Sequence, residues 1–175
     1  MRRLLGTMLA LLLVASCGSS ANDSGDIEGR PLLSEISRGV EALESRVGSG
    51  LEYFEISADL TGVTLILAEH EITSTGEEVA TYATPYRWSD GVLSETGDSQ
   101  TAEGETFFAS EIDFDPNRIF SNIDRELDAP VVVDFVIQGA GSGGVTYDVS
   151  IANDLGGGLL VLLRGDGEIL GVQAS

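Results

Sequence analysis

Few side chains in this sequence belong to the types that perform acid–base, nucleophilic or metal chemistry. His70 is the only histidine and Cys17 the only cysteine among 175 residues, and the chain has no lysine. A histidine-based triad or a zinc site needs several such groups close together, and Schiff-base chemistry needs a lysine. The sequence therefore predicts a protein that is not an enzyme and takes no cofactor. His70, between Glu69 and Glu71, is expected at the surface.

Carboxylates are the remaining candidates, and three of them recur at a spacing of two residues. Glu111, Asp113 and Asp115 would lie on one side of an extended segment, where their oxygens could bind Ca²⁺. The spacing differs from that of an EF-hand loop, so the alternative is a solvated strand whose last acid caps a helix. Glycoside hydrolysis by a carboxylate pair is a further alternative.

Aromatic side chains suggest a binding surface. Tyr82, Tyr86 and Trp88 occur in strand-like sequence of the first half. If these three side chains share an exposed sheet face, they would form an anchor patch for a protein or glycan partner. The alternative is that they are buried beneath the first predicted helix.

The charge of the chain restricts the class of partner. Aspartate and glutamate number 29 against nine arginines, which gives a formal net charge of −20. Such a field repels phosphate backbones and anionic headgroups, so the sequence predicts no binding to nucleic acid. A well-solvated surface explains the same acidity.

The first thirty residues are typical of export. Residues 1–16 hold two arginines and an apolar run of about a dozen residues, shorter than the roughly 20 that span a bilayer, which is the layout of a signal peptide. Val14-Ala15-Ser16-Cys17 resembles the lipobox of bacterial lipoproteins. This resemblance implies acyl lipid on Cys17 and a location on the cell membrane, or on an outer membrane, facing out of the cytoplasm. Residues 17–30 are small and polar, as expected of a flexible tether.

The rest of the chain reads as two similar halves. Residues 31–95 and 107–175 each begin with an amphipathic helix and continue with about four short strands. The polar stretch 96–106 reads as a linker. The predicted fold class is α+β, with two tandem units that each pack one helix on an antiparallel sheet. Each unit is near the lower size limit for folding alone, so we expect a shared core or a continuous sheet.

Turn and cap signals support these halves. Ser89-Asp90-Gly91 and Gly165-Asp166-Gly167 predict tight hairpin turns, and Asp115 followed by Pro116 predicts the start of the second helix.

The order of helix and strands resembles PepSY-like and beta-lactamase-inhibitor-protein-like modules of bacterial envelope lipoproteins, over roughly residues 31–175. The resemblance implies a binding or inhibitory module and assigns no functional residue. The predicted function is thus a lipid-anchored module that recognises another envelope protein, through a sheet face that contains Trp88 or its neighbours. The alternative is a carrier of a small apolar molecule or lipid in a cavity between sheet and helices.

Overall fold

The structure, a computed structural model, describes residues 29–141, 143–152 and 157–174. The predicted signal peptide, most of the tether and Cys17 lie outside these residues. The elements in chain order are α1 (Glu35–Val47), β1 (Glu52–Asp59), β2 (Gly62–Ile72), β3 (Glu78–Ser89), β4 (Val92–Glu95), β5 (Gln100–Thr101), β6 (Phe107–Phe108), α2 (Pro116–Glu126), β7 (Val131–Gly139), β8 (Val145–Ala152), β9 (Gly158–Leu163) and β10 (Ile169–Ala174). A short 3-10 helix, Ala109–Glu111, precedes α2.

All ten described strands belong to one antiparallel sheet. Its main path runs β10-β9-β8-β7-β1-β2-β3-β4, while β5 extends the edge beside β3 and β6 pairs with β1. The prediction of two tandem α+β units was therefore wrong. The molecule is mainly a β-sheet protein in which two helices cover one face, and the predicted linker 96–106 contains β5 and adds to the sheet edge.

The two halves meet where β1 pairs with β7, and this pairing is the physical reason for the correction. Five residue pairs join the strands, from Glu55 with Gln138 to Asp59 with Asp134. Each half forms a four-stranded meander that starts at this central pair, so neither half keeps a free edge there. The expectation of a continuous sheet is confirmed.

Local sequence accounts well for the helices. In α1 the buried residues Ile36, Gly39, Val40 and Leu43 recur at three- and four-residue spacing, which gives one apolar face. In α2 the side chain of Asp115 accepts hydrogen bonds from the backbone N–H groups of Asn117 and Arg118, with Pro116 in the first turn. The predicted cap of the second helix is confirmed.

Both predicted hairpin turns are also confirmed. Asp90 and Gly91 have φ values of 52° and 77°, as the two central residues of a type I′ turn require. In the second turn, a Cβ on Gly165 would lie 1.9 Å from the Asp113 carbonyl oxygen. Only glycine fits this close approach, which seats the β9–β10 turn beside the start of α2.

Buried side chains from both halves form one hydrophobic core. The cluster includes Leu43 of α1, Ile123 of α2, Ile56 of β1 and Ile137 of β7, each 0% exposed. Its buried members all lie between Leu33 and Leu163, so a chain that begins at residue 18 keeps every contact of the described core. In the part of the chain that the structure describes, no helix is long and apolar enough to cross a membrane.

Because the two halves share one core, a destabilising substitution in one half should also lower the stability of the other half. Ile137→Ala in β7 should lower the free energy of unfolding by about 2–5 kcal/mol, because it leaves a cavity beside Ile56. The fluorescence of Trp88, the only tryptophan, should report the same shift in urea although Trp88 lies in the first half. Leu162→Ala, at a side chain 37% exposed, is the control. A Trp88 transition that stays in place while circular dichroism shows an earlier loss of strand would contradict one cooperative unit.

Candidate functional site

The sheet face opposite the helices is the candidate site, and we call it the open face. Side chains alternate along each strand, and the buried residues of β1, β7 and β8 belong to the core beneath the helices. Their neighbours along each strand therefore point to the open face, where they are partly exposed. The face is crossed at one end by residues 102–106, which connect β5 to β6; there the Thr106 hydroxyl donates to a Glu52 carboxylate oxygen over 2.6 Å.

Three aspartates on the central strands of the sheet point to this face. Asp59 on β1 is the cross-strand partner of Asp134 on β7. Asp134 in turn pairs with Ser150 on β8, and Asp148 lies two residues from Ser150 on the same strand. Asp134 and Asp148 are therefore diagonal neighbours. We call Asp59, Asp134 and Asp148 the central acids.

Two of the central acids are held in an environment that disfavours their charge. Burial raises the pKa of Asp134, and the nearby carboxylates of Glu55 and Asp59 raise it further against a backbone hydrogen bond from Phe135. Burial alone raises the pKa of Asp148. Among the described residues, neither carboxylate forms an ion pair. A cation that approached the open face would stabilise both ionised forms.

The third central acid is already neutralised. Arg87 reaches from β3 across β2, and its guanidinium donates to Asp59 over 2.7 Å and to the Thr64 hydroxyl over 2.8 Å. Burial raises the pKa of Asp59, but hydrogen bonds from Arg87 and Thr61 outweigh this and lower the pKa to about 2. Arg87 thus offsets part of the repulsion between Asp59 and Asp134. Its charge also lowers the pKa of Asp134, but the pKa of this carboxyl stays raised overall.

Apolar side chains border the central acids on the other side. Leu162 pairs with Asp148, and Leu160 pairs with Ser150; each leucine is 37% exposed. The open face therefore presents acidic side chains beside aliphatic ones, with small residues such as Ser57 and Ser150 between them. This surface suits a partner that presents basic and apolar groups together.

The predicted aromatic patch does not lie on the open face. Tyr82, Tyr86 and Trp88 share the side of β3 that the helix covers: Tyr86 is 6% exposed, and the Trp88 indole N–H donates to Glu35 of α1 over 2.8 Å. The Tyr82 hydroxyl donates to Glu71 over 3.0 Å. Burial beneath α1 removes Tyr86 and most of Trp88 from contact with a partner.

The three acids considered for calcium serve local structure instead. A Glu111 oxygen accepts from the Phe108 backbone N–H over 2.8 Å, and Asp115 caps α2. Asp113 uses its backbone, which exchanges two hydrogen bonds with the Tyr147 hydroxyl. Across residues 29–141, 143–152 and 157–174, no three histidine, cysteine or acidic side chains stand close enough to hold a metal ion.

His70 lies on β2 near the segment 102–106. Its ring Nε2 is 3.5 Å from a Glu52 carboxylate oxygen, and its Nδ1 is 3.3 Å from the Thr81 hydroxyl. The expectation of a surface position is confirmed.

Comparison with protein family models, with curated proteins and with solved structures finds no match to this chain. The resemblances noted in the sequence therefore stay predictions.

Sequence reasoning overlooked the central acids, although one signal pointed to them. Asp134 interrupts the run Val131-Val-Val-Asp-Phe-Val-Ile, and an acid in the middle of a buried strand sequence is costly unless a partner or solvent receives it. Its position opposite Asp59 depends on the β1–β7 pairing, which no local pattern encodes.

The raised pKa values predict how stability depends on pH. The folded protein binds protons at Asp134 and Asp148 more tightly than the unfolded chain, so their contribution to stability falls as pH rises from about 4 through their raised pKa values. Asp148→Asn should raise the free energy of unfolding at pH 7 by a few tenths of a kcal/mol, and this gain should be clearly smaller at pH 4, where both states begin to bind the proton. Chemical denaturation at the two pH values measures it.

Asp98→Asn, which removes one charge from an exposed loop residue, is the matched control for net charge. An equal gain in both variants would mean that overall repulsion, and not the environment of Asp148, sets the effect.

Proposed function

We propose that this chain is a lipid-anchored, non-catalytic binding module that recognises another protein of the bacterial envelope. The open face is the recognition surface, and the partner presents arginine or lysine side chains flanked by apolar ones. The observation that carries the proposal is the pair of partly buried, unpaired carboxylates, Asp134 and Asp148, beside the exposed Leu160 and Leu162.

Charge complementarity supports a cationic partner. Six of the seven arginines in the described residues pair with a nearby acid, and the seventh, Arg46, lies over the Tyr86 ring. The arginines of the described residues are thus engaged in intramolecular contacts, and the remaining acids determine the electrostatic field around the protein. Such a field speeds the approach of a basic surface and disfavours acidic ones.

The shape of the site supports a protein partner. The open face is a broad surface across several strands. Four grooves lined by described residues are open to solvent, with volumes of about 290–460 Å³. Small ligands favour concave sites that enclose them, whereas standard protein interfaces bury about 800 Å² on each side.

Site-specific photo-crosslinking tests the recognition surface. A photo-reactive residue at Ser57, in the middle of the open face, should capture an envelope protein in living cells. The same residue at Ser37, exposed on α1, should not capture it. Asp134→Asn with Asp148→Asn should weaken capture at Ser57 by about tenfold or more, since each lost charge pair contributes about 1 kcal/mol or more.

Unfolding curves separate a binding defect from a folding defect. The double variant should be at least as stable as the parent at pH 7, so weaker capture cannot come from unfolding. Equal capture at Ser37 and Ser57 would contradict the open face as the recognition surface. So would capture at Ser57 that the double substitution leaves unchanged.

The lipid anchor has its own test. Cys17→Ser should move the protein from the detergent phase to the aqueous phase when cells are extracted with a phase-separating detergent, because the acyl chains supply the membrane affinity. Ser19→Ala should leave it in the detergent phase. Mass spectrometry of the N-terminal peptide should show the added acyl mass on Cys17, and an unmodified cysteine in the parent protein would contradict the anchor.

A further inference from the structure

The outer edge of β10 differs from the rest of this acidic molecule. The strand, Ile169–Ala174, has no charged residue and no proline, and it ends the main path of the sheet. Among the strands that the structure describes, none lies beside the backbone groups on its outer side. Leu170 and Val172 are 49% and 50% exposed, so the edge also presents aliphatic side chains.

The opposite edge shows the usual protection. β4 spans only four residues, Val92–Glu95, and ends in an acid. Two such edges would bring like charges together. Short length and charge are common means of keeping an edge strand from pairing, and β10 has neither.

Two arginines offset acids beside β10, while Asp166 in the β9–β10 turn forms no ion pair among the described residues. Arg164 pairs with Glu168 over 2.6 Å, and Arg125 on α2 pairs with Glu126 over 3.0 Å. A chain of net charge −20 repels another copy of itself over most of its surface. That repulsion is smaller along β10 itself, which has no charged residue.

We propose that β10 pairs antiparallel with β10 of a second copy about a two-fold axis. The edge is self-complementary, because each copy supplies the same unpaired backbone groups and the same exposed aliphatic side chains. The pairing extends the sheet through both molecules and covers Leu170 and Val172. This inference concerns assembly and does not rest on the proposed function of the open face.

A groove next to β10 adds contact area to this interface. It has a volume of about 460 Å³ and lies between the end of α2 and β10, with Leu127, Ile169 and Val172 among its lining residues. An edge strand and one groove make a small interface, so we expect dimerisation in the micromolar range.

Sedimentation velocity of the chain from residue 18 onward tests the proposal. The sedimentation coefficient should rise from monomer to dimer across the micromolar range. Val172→Glu and, separately, Leu170→Glu should weaken dimerisation by about tenfold or more, because each places a like charge in both copies at the edge. Val92→Glu, at a side chain 64% exposed on β4, adds the same charge at the other edge and should leave the dimer intact.

Cysteine substitution locates the axis. The chain from residue 18 contains no cysteine. Leu170→Cys, Gly171→Cys or Val172→Cys, each made singly, can therefore form only an intermolecular disulfide. At least one of the three should give a disulfide-linked dimer under mild oxidation, and Val92→Cys should not. Unfolding curves show whether each variant is folded.

A chain that stays monomeric throughout the micromolar range would overturn the proposal. So would a dimer that tolerates both β10 substitutions, or one that Val92→Glu disrupts equally. Protection of the β10 amides from hydrogen exchange only when a different envelope protein is added would assign this edge to a heterologous strand, and that result too would overturn pairing with a second copy.

Discussion

The antiparallel pairing of β1 with β7 is the contact on which the rest of the structure depends. It joins two meanders that would each expose a long edge, and it places Ile56 beside Ile137 so that one core serves both helices. A meander of this size could bury too little apolar surface by itself. The same pairing sets Asp59 opposite Asp134 on the other face, so the core and the candidate site have a common origin.

Features encoded within a few residues of one another could be predicted, and those encoded by distant pairing could not. The Asp115 cap, the two glycine turns and β8 follow from local chemistry. The single sheet does not, because a strand with alternating apolar residues looks the same at an edge and at the centre of a sheet. Pro85 interrupts the sequence pattern of β3, yet the strand continues through it and Pro85 pairs with Ile66.

The aromatic residues and the aspartates show the same limit at the site. Positions 82, 86 and 88 are all even, so a single strand places the three side chains on one face. This face is covered because the apolar side of α1 packs against it. The central acids come from β1, β7 and β8, which are separated by up to about ninety positions in the sequence. These three aspartates become neighbours only because of the strand order. The sequence alone therefore marks Asp134 as an acid inside an apolar run, but it does not indicate that Asp59 and Asp148 lie beside it.

The arrangement of charge on the open face is better explained by binding than by stability. Like charges directly opposite in a sheet are destabilising. Arg87 donates directly to Asp59, and its charge offsets the cost only in part for Asp134, whose pKa stays raised. Asparagine at 134 and 148 would keep the size and polarity of the side chains without the cost of a partly buried charge. A stability cost that a minimal change would remove is typical of functional surfaces. Pairing through β10 would set two open faces on the same side of one extended sheet, because neighbouring strands share their faces. A partner with repeated basic segments would then meet two sets of central acids, and its second contact would form at a high effective concentration.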